Sequence, residues 1–592
     1  MLDPRIYRTA FVPVLLAILV VAFSLEARPR AIGTTLAPDA FDGAAAFATL
    51  GDYAKGFPVR RPGERDDALL AERIARDLTV LGPGTVRTVR DAGQTIDGEQ
   101  ELATVVATRP GRPGPGLVVV AHRDAAGAPA KAELSGSAAL VELARVAAAG
   151  RLRRTVTFIS TSGGSGGLAG ARAAAERLPQ PVDAVLVLGD LASRTIHKPW
   201  VVGWSNGGGS APQRLRRTLE AAVRAETGQE PGGPRAGAQW ARFAFPTTVS
   251  EQGAFAEAGE AGVLLSATGE LPPDAGAPVS ERRLTVFGRT ALRTIFALDN
   301  GPDIAGGPEE LLITQRKKLP GWAITMLVGA ALLPVWLAVL DGLARVRRRK
   351  LPVGAGVRWV LASALPFVLA AMFALALGTT GLIGERPAAP VPSGAVPVDA
   401  TAAGIIVALV LVFALGWIGL RPMALGALGV REPLGDGHAA AALGVLALTS
   451  LVVWLANPFA AALLVLPAHL WLLAVAPEVR LPRAAAGLLG LLALVPLVLV
   501  GGSLAGQLEY GVGEAAWSLV LLVSGGHVGP LAWLVWSVVA GAAVSVGLLV
   551  ARGPSGEHDA TRPKASRGAA VRGPRTYAGP GSLGGTDSAL RR

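Results

Sequence analysis

Beyond Pro320 the chain carries seven long apolar runs, more than a soluble core can bury. They lie at roughly Trp322 to Ala344, Val357 to Ile383, Ala402 to Leu420, Ala439 to Leu455, Phe459 to Val475, Ala484 to Leu504 and Leu531 to Ala551. A helix needs about 20 apolar residues to cross a bilayer core about 30 Å thick, and backbone polar groups leave few other ways to cross it. The runs are therefore expected to form a polytopic α-helical membrane domain over residues 320–551. An eighth apolar run, Ala10 to Leu25, follows Arg5 and Arg8. Its length suits a signal peptide or an anchor, and the charges in SLEARPRA, where a small-residue cleavage site would fall, favour an anchor spanning residues 1–29. An apolar fraction of 51% and a mean hydropathy of +0.44 agree with a chain held largely by lipid.

The formal charge of +12 raises the question of nucleic acid. Lys and Arg gather beside the apolar runs and in the tail, with no basic stretch interleaved with aromatics, so the expected partner is the bilayer and not a nucleic acid. RVRRRK (Arg345 to Lys350) follows the second run and EVRLPR (Glu478 to Arg483) the sixth. The positive-inside rule puts both in the cytoplasm, together with both termini, and puts residues 30–315 outside. The tail, 552–592, is rich in Gly, Pro, Ser and Arg and is expected to be disordered and cytoplasmic. Ala515 to Ser524, followed by GGHVGP, is too short to cross and is expected at the interface or as a re-entrant piece. Charged groups are nearly absent from the run centres, which argues against an ion-coupled carrier. His469 beside Pro467 is the main exception, expected to pack by hydrogen bonding, and Asp341 ends its run. The absence of Cys excludes disulfides and thiolate zinc sites.

Residues 30–315 read differently. LATVVATR, LVVVAHR, RTVTFIST, DAVLVLGD and AGVLLSAT alternate with helical patterns such as SAALVELARVAAA and PQRLRRTLEAAVRAE. This is the signature of an α/β domain with a mostly parallel sheet. LVVVAHRD ends a buried strand on His122 and, two residues on, Asp124, which is how a sheet edge presents a metal ligand and an orienting carboxylate. Two other patterns are weaker. Ser160 to Ser165 with His197 and Asp190 has the residue types of a hydrolase triad without the G-x-S-x-G elbow. WSNGGGSAP (Trp204 to Pro212) is Gly-rich but is followed by no Lys-Ser or Lys-Thr, so it is expected to be a loop.

Five landmarks occur in order: His122 and Asp124, SGSAALVELAR (Ser135 to Arg145), GLAGA (Gly167 to Ala171), LVLGD ending at Asp190, and EQGAFAEAGEAGVLL (Glu251 to Leu265). Together they resemble metallopeptidase family twenty-eight, the two-zinc aminopeptidases, across most of Leu102 to Leu265. The resemblance implies the zinc aminopeptidase fold. Carried over by position, His122 and Asp190 match two ligands of one metal, and Asp124 matches the carboxylate that orients the His. The bridging Asp falls on Ala132, the general base on Gly164, the other metal's Glu on Ser165 and its His on Gln252. The resemblance is thus to a degenerate member. Glu133, one register from the bridge, could complete a mononuclear site with His122 and Asp190, so zinc stays open as a cofactor. The layout of anchor, peptidase-like domain and further spans is also similar to that of the attachment subunit of the GPI transamidase, in architecture alone.

The leading expectation is a non-catalytic, peptidase-like pseudoenzyme domain that binds or scaffolds a peptide or protein partner outside the cytoplasm. An active mononuclear zinc aminopeptidase is one alternative. A transporter with the α/β domain as an accessory is the other.

Overall fold

The computed structural model describes residues 3–552 apart from 83, 129, 151, 234, 305, 315, 384, 393, 431–434, 477 and 480. The tail expected to be disordered falls, from 553 to 592, outside the described residues. The strands in chain order are β1 (Glu26–Ala27), β2 (Thr85–Thr95), β3 (Gly98–Arg109), β4 (Arg112–His122), β5 (Arg154–Thr161), β6 (Val182–Leu188), β7 (Val201–Val202), β8 (Gly262–Leu265), β9 (Leu311–Ile313) and β10 (Lys317–Pro320). Seven form one sheet in the order β2-β3-β5-β4-β6-β8-β7. Its centre, β5-β4-β6-β8, is parallel, as the sequence leads one to expect. The β2–β3 hairpin and β7 add antiparallel edges.

β4 shows why the centre takes this form. Leu117 to Ala121 is an unbroken apolar run and all five residues are buried. A strand buried on both faces needs helices on both, which parallel crossovers supply. Leu117, Val119 and Ala121 join the cluster formed by the helices Ser135–Ala149 and Glu281–Asn300. Val118 and Val120 belong to the opposite cluster, with Ala171 and Phe243. β2, by contrast, mixes charges with small residues and lies half exposed at the edge. Sequence patterning does not reveal it, because nothing apolar recurs there with period two.

Each of the eight apolar runs is a helix. The helices long and apolar enough to cross a membrane are Pro4–Phe23, Gly321–Arg348, Val353–Thr379, Ala400–Ala427, Asp436–Ala456, Pro458–Val475, Arg483–Gln507 and Pro530–Arg552. The fourth is interrupted by one π-helical turn, Gly416–Leu420, just before Arg421 and Pro422, where the proline has no N–H to continue the ladder. Ala515 to Ser524 belongs to a short apolar helix, Val512–Ser524, that packs against the third span, with Gly378 lodged on Ser524.

The α/β domain and the spans share one apolar cluster, running from Val118 and Val120 through Phe243 to Phe459 and Leu463. Phe243 stacks on Phe459 at 4.7 Å, Trp240 Nε1 donates to the Phe459 carbonyl at 3.0 Å and Asn457 Nδ2 donates to that of Phe243 at 2.9 Å. Arg242 Nε reaches Gln507 Oε1 at 3.1 Å, and the Ala388 N–H donates to the Gln94 carbonyl at 2.9 Å. The junctions 380–399, 457 and 508–529 thus lie on the side of the α/β domain. At other junctions Gly437 packs on Pro352, and Arg483 donates to the Arg552 carbonyl at 3.2 Å. β10 pairs with both β1 and β9 and runs directly into the second span. Within the bundle, His469 links two helices: Nε2 donates to the Ala331 carbonyl at 2.9 Å, which leaves Nδ1 to accept from Tyr7 Oη at 2.6 Å. Asp341 pairs with Arg345 one turn on.

Candidate functional site

The C-terminal ends of β4, β5 and β6 converge, and the loops that follow them build a small cavity of ≈ 50 Å³. β4 delivers His122, and the residue after β6 and Gly189 is Asp190. The 3₁₀ turn Ala132–Leu134 supplies Glu133, and the start of the helix Gln252–Glu257 supplies Glu251. Gly164 and Ser165, in the turn after β5, complete that wall. His122, Asp190 and Glu133, separated in sequence, therefore line one space.

Beneath it the loops are held by two buried arginines. Arg123 pairs with Asp67 at 2.9 Å and donates to the carbonyls of Ser160 and Ala103 at 3.2 and 2.7 Å. Arg60 donates to the carbonyls of Arg123, Phe57 and Ala130. Neither guanidinium is exposed, and each ties the loop after β4 to a neighbouring element.

Apart from Glu133, the acidic and imidazole side chains of the cavity each face a protein partner. His122 Nδ1 lies 3.7 Å from Glu251 Oε2, while the other Glu251 oxygen accepts from Thr161 Oγ1. Asp124 accepts from the Gly164 and Ser165 N–H groups at 2.9 and 3.0 Å and from Ser165 Oγ at 2.6 Å. Both of its oxygens thus fix the turn, and the group against the imidazole is Glu251. Asp190 Oδ1 accepts from the N–H groups of Ala192 and Ser193, both at 2.9 Å, and from Ser135 Oγ at 3.2 Å. Gln252 Nε2 donates to the Trp204 carbonyl at 3.2 Å and to Thr248 Oγ1 at 3.0 Å. Ala132, buried at the start of its turn, offers no donor atom.

The electrostatics follow from burial among carboxylates. Burial disfavours the charged form of His122, but the adjacent Glu251 carboxylate, then the charges of Asp124 and Glu133, outweigh it and raise the imidazole to about 9. Burial pushes Glu133 up to about 8, opposed by His122 and reinforced by Asp124. It also pushes Asp190 to about 6, against the stabilising N–H bonds of Ala192 and Ser193.

A catalytic zinc takes about three protein ligands around an open position. Oxygens of Glu133, Asp190 and Glu251 are buried without hydrogen-bond partners, yet no three His, Asp or Glu side chains among the described residues converge so as to hold an ion. Gly164 sharpens the point. A Cβ built there would lie 2.5 Å from His122 Cβ and 2.6 Å from its Cγ, closer than any real contact. The imidazole fills the space that a side chain at position 164 would need.

Other sequence candidates are dispersed. His197 Nδ1 pairs with Glu509 at 3.0 Å on the exposed face toward the spans, so no triad forms with Ser160 to Ser165. The Trp204 to Pro212 loop is closed by bridges from Trp204 to Ser210 and from Ser210 to Glu309, with Gly208 and Gly209 at φ of 90° and 78°. Glu251 is the residue that sequence reasoning misses. Positional carry-over lands on Gln252, and the neighbouring acid at the helix start was the available signal.

A seven-stranded α/β sheet with acidic groups and a histidine at its C-terminal edge defines a peptidase-like domain, here set on a multi-helix apolar region. Residues 104–232 match the model of Peptidase family M28. Among solved structures, the chain is similar to LapB from Legionella pneumophila, with 18% identity over 47% of this chain and 78% of that one and a TM-score of 0.37. The LapA aminopeptidase of the same organism is 15% identical over 45% of this chain and 73% of that one, with a TM-score of 0.35. Porphyromonas gingivalis glutaminyl cyclase is 15% identical over 43% of this chain and 98% of that one, also with a TM-score of 0.35. No curated protein matches.

Proposed function

We propose that this is a multi-pass membrane protein whose M28-like domain lies outside the cytoplasm, no longer hydrolyses peptides, and serves as a binding or scaffold module for a peptide or protein partner. The observation that carries this reading is the packing of His122 against Gly164, the position to which the resemblance assigns the general base, which leaves no room there for a side chain. The pairing of His122 with Glu251 supports it, since the imidazole is turned to a protein carboxylate. The orientation is supported by charge. Arg345, Arg347 to Arg349 and Lys350 cluster at the end of the second span, a 28-residue helix that starts at β10 and so carries them away from the α/β domain.

Two experiments test this. Purified full-length protein is expected to carry far less than stoichiometric zinc and to show no chelator-sensitive release of N-terminal residues from peptides. Stoichiometric zinc, with a hydrolytic rate abolished by His122→Ala, would overturn the reading in favour of a mononuclear peptidase. For topology, the Cys-free chain is a clean background. A membrane-impermeant maleimide should label Gln229→Cys in intact cells and Lys350→Cys only after permeabilisation, and the reverse pattern would refute the orientation.

A further inference from the structure

A second, larger cavity of ≈ 590 Å³ lies between the α/β domain and the spans, inside the about 300–1,000 Å³ usual for small-molecule sites. One wall comes from described residues between the third and fourth spans, among them Leu382, Ile383, Arg386 and Val396. Another is formed by the end of Arg483–Gln507 and the short helix Val512–Ser524. Leu382, Ile405, Leu504, Leu508, Trp517 and Leu521 make the lining largely apolar. Such a surface suits a hydrocarbon chain, and its place at the ends of spans puts it level with lipid headgroups.

The charged residues of the lining are mostly accounted for. Arg61 pairs with Asp97 at 2.5 Å, Asp399 caps the fourth span by accepting from the Ala402 N–H at 2.7 Å, and Glu385 is exposed. Arg386 differs. Its Nη2 donates to the Leu375 carbonyl at 2.8 Å, its Nε is buried without a partner, and no carboxylate among the described residues pairs with it. A guanidinium partly withdrawn from water without a counter-charge is unfavourable, and its planar fork matches phosphate oxygens.

We propose that this cavity binds one anionic glycerophospholipid from the bilayer, with an acyl chain among Leu504, Leu508 and Trp517 and the phosphate on Arg386. The proposal rests on the membrane reading of the spans and is independent of whether the M28-like domain hydrolyses anything.

The test uses full-length protein in nanodiscs containing phosphatidylglycerol with a diazirine on one acyl chain. After irradiation, adducts are expected on peptides from Leu504 to Leu522. Ile405→Trp, which fills the cavity, and Arg386→Gln should each lower that labelling about tenfold, the scale of one lost charge-assisted phosphate contact. Arg386→Lys should retain part of it. A zwitterionic phosphatidylcholine probe should label weakly. Labelling unchanged by both Ile405→Trp and a second filling variant, Leu504→Trp, would overturn the site, and equal labelling by the two lipids would overturn the role of Arg386. Failure of the protein to enter nanodiscs would instead refute the membrane reading itself.

Discussion

At position 164 a glycine sits where the Cβ of any other residue would meet His122. Returning the family's acid by Gly164→Glu should not restore hydrolysis, because the new Cβ meets His122 before its carboxylate can be placed. Overpacking of this kind costs about 1–3 kcal/mol, so thermal denaturation of the variant should show a lower midpoint, and no peptide cleavage should appear. Arg123 is expected to matter more to folding. Arg123→Leu strands the Asp67 carboxylate in a buried site, a change of about 3–5 kcal/mol. Asp67→Asn with Arg123→Leu should recover part of that stability, and a double mutant no better than the single one would contradict the pairing argument. His122, Asp190 and Glu133 were legible as a group because strand ends and motif spacing bring them to one edge. Glu251 and the diversion of Asp124 to the Gly164–Ser165 turn were not. Both depend on where loops of different origin meet, and no local pattern encodes that.

Among the elements, the apolar spans and the central strands were the most legible, since a long apolar run has few ways to hide from water. β2 and the π-helical turn before Arg421 escaped notice, the first because an exposed edge carries no periodic signal and the second because a ladder defect is a matter of backbone register. The junction at Asn457 illustrates how elements depend on one another. Its Oδ1 accepts from the Ala460 N–H at 3.0 Å and so caps the sixth span, while Nδ2 binds the α/β domain. Asn457→Ala should remove about 1 kcal/mol of capping and loosen the docking as well. Hydrogen exchange should therefore rise in both Pro458–Val475 and Ala236–Ala244, and a rise confined to the span would argue against the shared role. The loop before the last span offers a pH test. Burial, and then the charge of Arg172, hold His527 down at about 4 against an ordinary 6.5. Between these values the unfolded imidazole is protonated and the folded one is not, so this contribution is intact above pH 6.5 and is lost as pH falls toward 4. Melting curves across that window should flatten in His527→Gln, and wild-type and variant curves that fall in parallel would exclude His527 as the source.

For the whole molecule, the two cavities are neighbours. Val249 lines both, and the segment Pro390 to Pro392 contributes to each. The cavity at His122 and the larger cavity beside the spans therefore share a wall, an arrangement no reading of either domain alone could supply. The small three-stranded sheet has a different consequence. β1 follows the first span, β10 precedes the second, they pair at Glu26 and Lys318, and the Arg28 N–H donates to the Arg316 carbonyl at 3.2 Å. The polypeptide thus leaves and re-enters the bundle through one narrow stem, as a guest sequence spliced into the turn of a helical hairpin. Such a graft can be exchanged or lost without rethreading its host.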